Sequence, residues 1–157
     1  MFQRAAKLLA AKQRSVEELR ERLLTTRGAT RANVDEVIAR LREYGYLDDA
    51  KFAQSYASLR LRERPLGRRR LQQDLKLKQV DKETASTALD EVFEATPETE
   101  LIERAIAKRL RLRGKPKTRE DAKKLFDHLI RQGFEFDLVG NKVRALLRST
   151  DDDVPAE

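Results

Sequence analysis

The chain has no cysteine and no tryptophan, and its 157 residues include only one methionine and one histidine. Without cysteine there are no disulfides, no thiolate metal ligands and no thiol nucleophile. No cluster of His, Asp or Glu has metal-ligand spacing, and no glycine-rich phosphate loop or Walker lysine occurs. Neither a metal site nor a cofactor is therefore expected. Long apolar runs are missing too. Leu8-Leu9-Ala10-Ala11, the longest near the start, is far short of the roughly 20 residues of a membrane span. It is also too short for a secretory core, so a soluble cytoplasmic protein with no membrane partner is the expectation. No stretch combines period-two alternation with β-branched enrichment, and strands are not expected.

What the chain does contain is charge. Lys and Arg number 34 against 27 Asp and Glu, a net +7, and charged residues make up 39%, against about 25% in ordinary domains. Leu, Ile, Val and Phe make up about a quarter of the residues, above the roughly 20% below which such a charged chain stays disordered. It should fold, around small cores. Four of the 27 acids lie after residue 148, so with all 34 basic residues the first 148 positions carry +11. Nucleic acid or an acidic protein surface is the first partner to consider.

Prolines 65, 97, 116 and 155 and glycines 28, 45, 67, 114 and 133 fall between stretches whose apolar residues recur every three or four positions. About nine helices follow from this punctuation. Ser15-Val16-Glu17-Glu18 fits a capping box, and Asp48, Asp81 and Thr118 precede periodic segments as caps should. Thr96-Pro97 suits a helix start with proline in the first turn.

The segments also repeat. Leu24, Leu75 and Leu129 are each followed four positions on by Gly28, Gln79 and Gly133. The next helix then offers Val34, Ala85 and Val139, followed by Ile38, Leu89 and Val143, and by Leu41, Val92 and Leu146. The expected architecture is all-α, with three tandem three-helix modules at 1–47, 48–95 and 96–148 forming an elongated, curved array. A flexible acidic tail is expected at 149–157. The alternative is a single irregular bundle of nine helices.

There is little to support catalysis. His128 sits in a helical stretch beside Leu129 and Ile130, where a lone histidine reads as a partly buried structural residue. Asp48 and Asp49 are adjacent at a helix start, and capping accounts for them. The basic residues are more informative. Arg60, Arg62, Arg64, Arg68, Arg69 and Arg70 surround the Pro65-Leu66-Gly67 turn, with Lys76 farther along the following helix. Arg104, Lys108, Arg111 and Lys115 recur at helical spacing, and Arg113, Lys117 and Arg119 extend the group. Intrahelical pairs account for part of a charged face, worth about 0.2–0.5 kcal/mol each. They cannot account for 104–119, which has no acidic residue. A face that meets phosphates or carboxylates is the stronger reading, and scarce aromatics argue against base stacking.

Gly45-Tyr46-Leu47-Asp48-Asp49-Ala50-Lys51-Phe52-Ala53 resembles the signature of RecX, the bacterial regulator of the RecA recombinase, with Lys51 where the family usually has Arg. Gly67-Arg68-Arg69-Arg70-Leu71-Gln72-Gln73-Asp74-Leu75 through Lys78-Gln79-Val80 resembles its second characteristic stretch, with Gln79 in place of the usual Gly. That substitution implies a differently capped helix end. The resemblance implies a tandem-repeat helical protein, without catalytic residues, that binds the RecA filament and restrains its ATPase, strand exchange and growth. Some relatives also bind DNA alone, so single- or double-stranded DNA is a second expected partner, and the protein is expected to be a monomer. Binding is placed on the arginine and lysine clusters. Gly45, Tyr46, Leu47, Asp48, Asp49 and Phe52 are read as a helix stop, a cap and core aromatics. The competing readings are a helical DNA-binding protein acting independently of RecA and a structural helical adaptor.

Overall fold

The computed structural model describes residues 1–152, with side chains through Ser149. Among these residues there are nine helices and no strand: α1 (Phe2–Ala11), α2 (Val16–Leu24), α3 (Arg31–Glu43), α4 (Asp49–Glu63), α5 (Arg68–Leu77), α6 (Lys82–Ala95), α7 (Glu98–Arg113), α8 (Arg119–Arg131) and α9 (Phe136–Asp152). No helix among them is long and apolar enough to cross a membrane. The helices gather into two compact units, Met1–Ala57 with Gln72–Glu91, and Ser58–Leu71 with the chain from Val92 onward.

In the first unit, α1, α2 and α3 close on a core of Ala5, Val16, Leu19, Leu23, Val34, Val37, Ile38, Leu41 and Leu47. In α2 and α3 these residues recur at helical spacing, one stripe per helix, while α1 contributes Ala5 and the turn after α3 contributes Leu47. The expected cap of α2 is present in full. The Ser15 hydroxyl accepts from the Glu18 N–H at 3.2 Å, and the Glu18 carboxylate accepts from the Ser15 N–H at 3.3 Å. Ser15 is fully buried, and its hydroxyl also donates to the Lys78 carbonyl at 2.6 Å. Asp49, the first residue of α4, accepts the Val16 N–H at 2.9 Å. The open N-terminal end of α2 is thus closed by α4 and by the end of α5, far along the chain.

The second unit repeats this device with different residues. Its buried set includes Leu61, Leu66, Leu71, Leu101, Ile102, Leu125, Leu129, Phe134 and Val139. At the start of α5 the Gly67 N–H donates to the Gln132 carbonyl at 2.9 Å, and the Arg69 N–H to the Gly133 carbonyl at 3.1 Å. Glu98, the first residue of α7, accepts the Arg68 N–H at 2.7 Å. Glu98 stands to Arg68 as Asp49 stands to Val16: a carboxylate opening one module's first helix holds the first N–H of the preceding module's second helix. Such bonds satisfy donors that a helix cannot satisfy itself.

Helices α3, α5 and α8 end alike. The N–H groups of Tyr46, Val80 and Phe134 reach back to the carbonyls of Leu41, Leu75 and Leu129, and those of Gly45, Gln79 and Gly133 to Arg42, Lys76 and Ile130. This double closure needs a left-handed residue. Gly45, Gln79 and Gly133 supply it at φ of 77°, 63° and 94°. Gln79 therefore makes the same cap as its glycine counterparts, contrary to the expectation of a different one.

Three further expectations shift. Leu24 is 41% exposed while Leu23 is fully buried. Leu23 is the partner of Leu75 and Leu129, and one extra residue before Gly28 absorbs the slip. Pro97 is the N-cap of α7, with Glu98 the first helical residue; its carbonyl accepts from Glu100 and Leu101. Finally, α9 runs on through Asp152, so the backbone of 149–152 is helical. No Gly or Pro falls between Gly140 and Pro155 to stop it. The rest of the expected flexible tail lies outside the described residues.

Candidate partner and nucleic-acid interface

The stretch Gly45–Ala53 divides by burial. Leu47 and Phe52 are buried, at 3% and 9% exposure. The Asp48 carboxylate accepts the Lys51 N–H at 3.1 Å, capping α4, and Gly45 closes α3. Tyr46 departs from the expected role as a core aromatic. Its side chain is 69% exposed and lies 6.3 Å from the Tyr44 ring. Only its backbone N–H, bonded to Leu41, is structural. Neither aromatic character nor cap position reveals this, since Val80 and Phe134 at the same place in the α5 and α8 caps are buried. On its outer side the same stretch helps to line a cavity of about 530 Å³, shared with Phe2, Leu9, Gln13 and Arg14 of the first unit. The Arg14 Nε is buried there without a hydrogen-bond partner among the described residues.

Of the basic candidates, Lys76 alone belongs to the first unit. Arg60, Arg62, Arg64, Arg68, Arg69, Arg70, Arg104, Lys108, Arg111, Arg113, Lys115, Lys117 and Arg119 all belong to the second. They are not equivalent. Arg60 pairs with Glu63 at 3.5 Å. The Arg70 guanidinium donates to the Arg131 carbonyl at 3.3 Å, so Arg70 is tied into the α8 end. Arg62, Arg64, Arg69, Arg104, Lys108, Arg111 and Arg113 are exposed.

The expected stripe from Arg104 to Lys115 is cut short. Gly114 takes φ 77° and ends α7, so Lys115 and Lys117 lie in the following loop and Arg119 opens α8. Lys115 instead joins Arg109, Arg113 and Lys124 around a second hollow of about 220 Å³. Arg64 and Lys108, far apart in sequence, meet across a third of about 160 Å³, together with Arg109 and His128. His128, expected as a partly buried structural residue, is half-buried and also faces this cavity. Burial, followed by the charges of Arg109, Arg131, Arg113 and Arg64, pushes its pKa below the ordinary histidine value. Helical spacing could not have found it, because Arg64 comes from a different segment.

Fold and surface together define an all-α protein of repeated three-helix units whose basic clusters concentrate in one compact unit. Residues 48–89 match the family model described as RecX, second three-helix domain. The regulatory protein RecX of Pelodictyon phaeoclathratiforme is 31% identical over 152 residues, covering 96% of this chain and 92% of the relative. The chain belongs to the RecX family of regulatory proteins. Regulatory protein RecX of Bacillus licheniformis is likewise 31% identical, over 150 residues, but those are 96% of this chain and 55% of the relative. This chain thus spans little more than half of that relative's length. The crystal structure of RecX from Lactobacillus salivarius superposes with a TM-score of 0.81 at 19% identity, covering 92% of this chain and 93% of the other. At that identity the likeness is one of fold.

Proposed function

We propose that this protein binds RecA–DNA filaments and modulates, mainly by inhibiting, RecA ATPase, strand exchange and filament growth. Membership of the RecX family carries the reading. The gathering of the basic candidates, Lys76 excepted, in one compact unit supports it. Exposed Arg and Lys side chains meet backbone phosphates or filament carboxylates with little sequence preference. In this reading Arg62, Arg64, Arg69, Arg104, Lys108, Arg111 and Arg113 make those contacts, while Leu47, Phe52 and the caps at Asp48 and Asp49 keep the modules in shape. The protein acts in the cytoplasm as a monomer of three modules, without a cofactor or a catalytic step of its own.

The test is RecA ATPase on single-stranded DNA as this protein is added. A fall in turnover at stoichiometric amounts is expected, and unchanged turnover would sink the reading. Tight DNA binding with no effect on RecA would instead favour a helical DNA-binding protein acting alone.

A further inference from the structure

We propose that Arg64, Lys108, Arg109 and His128 form a seat for one phosphate of a nucleic-acid strand, and that His128 takes up a proton as the phosphate enters. The inference rests on the DNA contact in the preceding reading and names the place where it is made.

The cavity is suited to one small anion. Its volume of about 160 Å³ is that of about five liquid waters, enough for a phosphate and part of its hydration. Pro65 and Ala105 supply apolar wall, and the polar lining consists of Arg64, Lys108, Arg109, His128 and Gln132, with no carboxylate. None of the three cations makes an ion pair among the described residues, whereas Lys124 on α8 pairs with Glu120 at 3.6 Å. Like charges gathered round a concave wall repel one another, and an anion entering the cavity relieves all of them at once.

The seat is also held in shape. Arg64 and Pro65 follow α4, His128 belongs to α8, and Lys108 and Arg109 belong to α7. The Gly67 N–H bonds the Gln132 carbonyl at 2.9 Å, which anchors the segment carrying Arg64 beside the α8 end that carries His128. Two guanidinium groups and one ammonium on fixed backbone match the usual way phosphate is recognised.

His128 gives the seat its proton dependence. The charged groups facing it are Arg109 and Arg113 from α7, Arg131 from its own helix, and Arg64 from the segment after α4. All are positive, and with burial they keep the empty imidazole neutral near pH 7. A phosphate in the cavity reverses the local field, so the imidazolium becomes the favoured form and its N–H donors turn to the phosphate oxygens. Binding then consumes a proton, and affinity rises as pH falls through the histidine range.

His128 is the only histidine, so its imidazole NMR resonance is unique and reports its own titration between about pH 5.5 and pH 7.5. The experiment follows that resonance against pH in the free protein, with short oligo(dT), and with inorganic pyrophosphate. Fluorescence anisotropy of the labelled oligo(dT) runs in parallel on the unaltered protein and on His128→Gln. The expected result is a midpoint raised by about one unit with either ligand, and oligo(dT) binding about tenfold tighter at the acid end than at the neutral end. His128→Gln should lose that gain. If oligo(dT) binds while the His128 midpoint stays put, the seat is overturned and the DNA contact stands. If oligo(dT) fails to bind at any pH in low salt, the DNA reading falls and the seat as a nucleic-acid site falls with it. The resonance measurement needs no variant, so a poorly folding substitution cannot obscure the outcome.

Discussion

Gly67 and Gly133 meet backbone to backbone. A Cβ on Gly67 would lie well under 3.0 Å from the Gly133 carbonyl, and one on Gly133 would lie 2.8 Å from the Arg70 Cα. Gly67→Ala is therefore expected to cost about 1–3 kcal/mol by overpacking. Gly133→Ala should cost more, since its φ of 94° adds strain. Gly140, inside α9, has nothing nearer to its Cβ position than the Arg144 side chain at 3.6 Å. Gly140→Ala should instead stabilise by about 0.5–1 kcal/mol. Urea midpoints for the three variants decide it, and equal effects at Gly67 and Gly140 would refute the close approach.

At the start of α2, Ser15→Ala removes a cap and a buried bond to the Lys78 carbonyl together. A loss of about 1–3 kcal/mol is expected. Asp49→Asn keeps an acceptor for the Val16 N–H and should cost less at neutral pH. Its effect lies in the pH profile. Burial raises the Asp49 pKa above the usual carboxylate value, outweighing the bond from Val16. Between about pH 4 and that raised value the folded chain holds a proton that the unfolded chain has lost, so the native state loses stability as pH rises. The unaltered protein should gain on Asp49→Asn as pH falls from about 6 to about 4. A stability difference that does not move over that range would contradict the assignment.

Gln79 bears the strain of a left-handed position that its counterparts give to glycine. That conformation costs an ordinary residue about 1–2 kcal/mol. Glycine would recover this strain, lose the exposed bond from Gln79 to Glu21 at 3.1 Å, and loosen the unfolded chain. Gln79→Gly should stabilise by up to about 1 kcal/mol, and a drop in the urea midpoint would show the cap to be unstrained.

The two aromatics of the Gly45–Ala53 stretch should separate cleanly. Phe52→Ala is expected to cost about 3–5 kcal/mol as a core truncation. Tyr46→Ala, with its ring in solvent, should stay within about 0.5 kcal/mol of the unaltered protein. Thermal melting of both variants is the check, and an unchanged melting temperature for Phe52→Ala would contradict its burial.

The neighbours Arg69 and Arg70 should separate as well, along a different line. Arg69 is exposed, and Arg69→Ala is expected to leave stability within about 0.5 kcal/mol. It should weaken binding to filaments or oligonucleotide and lower the salt slope by about one. Arg70 bonds the Arg131 carbonyl, so Arg70→Ala should lower stability by about 1 kcal/mol. Co-sedimentation with melting curves reads both, and a destabilising Arg69→Ala would reassign that side chain to structure.

Much of the fold was legible because it is written locally. The caps at Ser15, Asp48, Asp81 and Thr118 use short-range chemistry, and the apolar triplets of α3, α6 and α9 recur at helical spacing. What local pattern could not carry was pairing over distance. The bonds from Val16 to Asp49 and from Arg68 to Glu98, and the contact of Gly67 with Gly133, link segments about 30 to 65 positions apart, and no periodicity marks them. The candidate site divides the same way. Arg104, Lys108 and Arg111 were visible as a run, but His128 entered only when Arg64 and Arg109 were seen beside it.

The buried bond from the Ser15 hydroxyl to the Lys78 carbonyl spans 63 positions, which gives it a place in time as well as in space. On the ribosome, the start of α2 is made long before its second partner exists. At about 5–20 residues per second, some 3–13 s pass before Lys78 is added. Through that interval the first three helices can close on their own apolar core and the α2 cap can form, but the Ser15 hydroxyl lacks its acceptor. The first unit reaches its final hydrogen-bonded form only after α5 has emerged, so a stall or truncation inside α4 or α5 would leave a nascent chain with its best-buried serine unmatched.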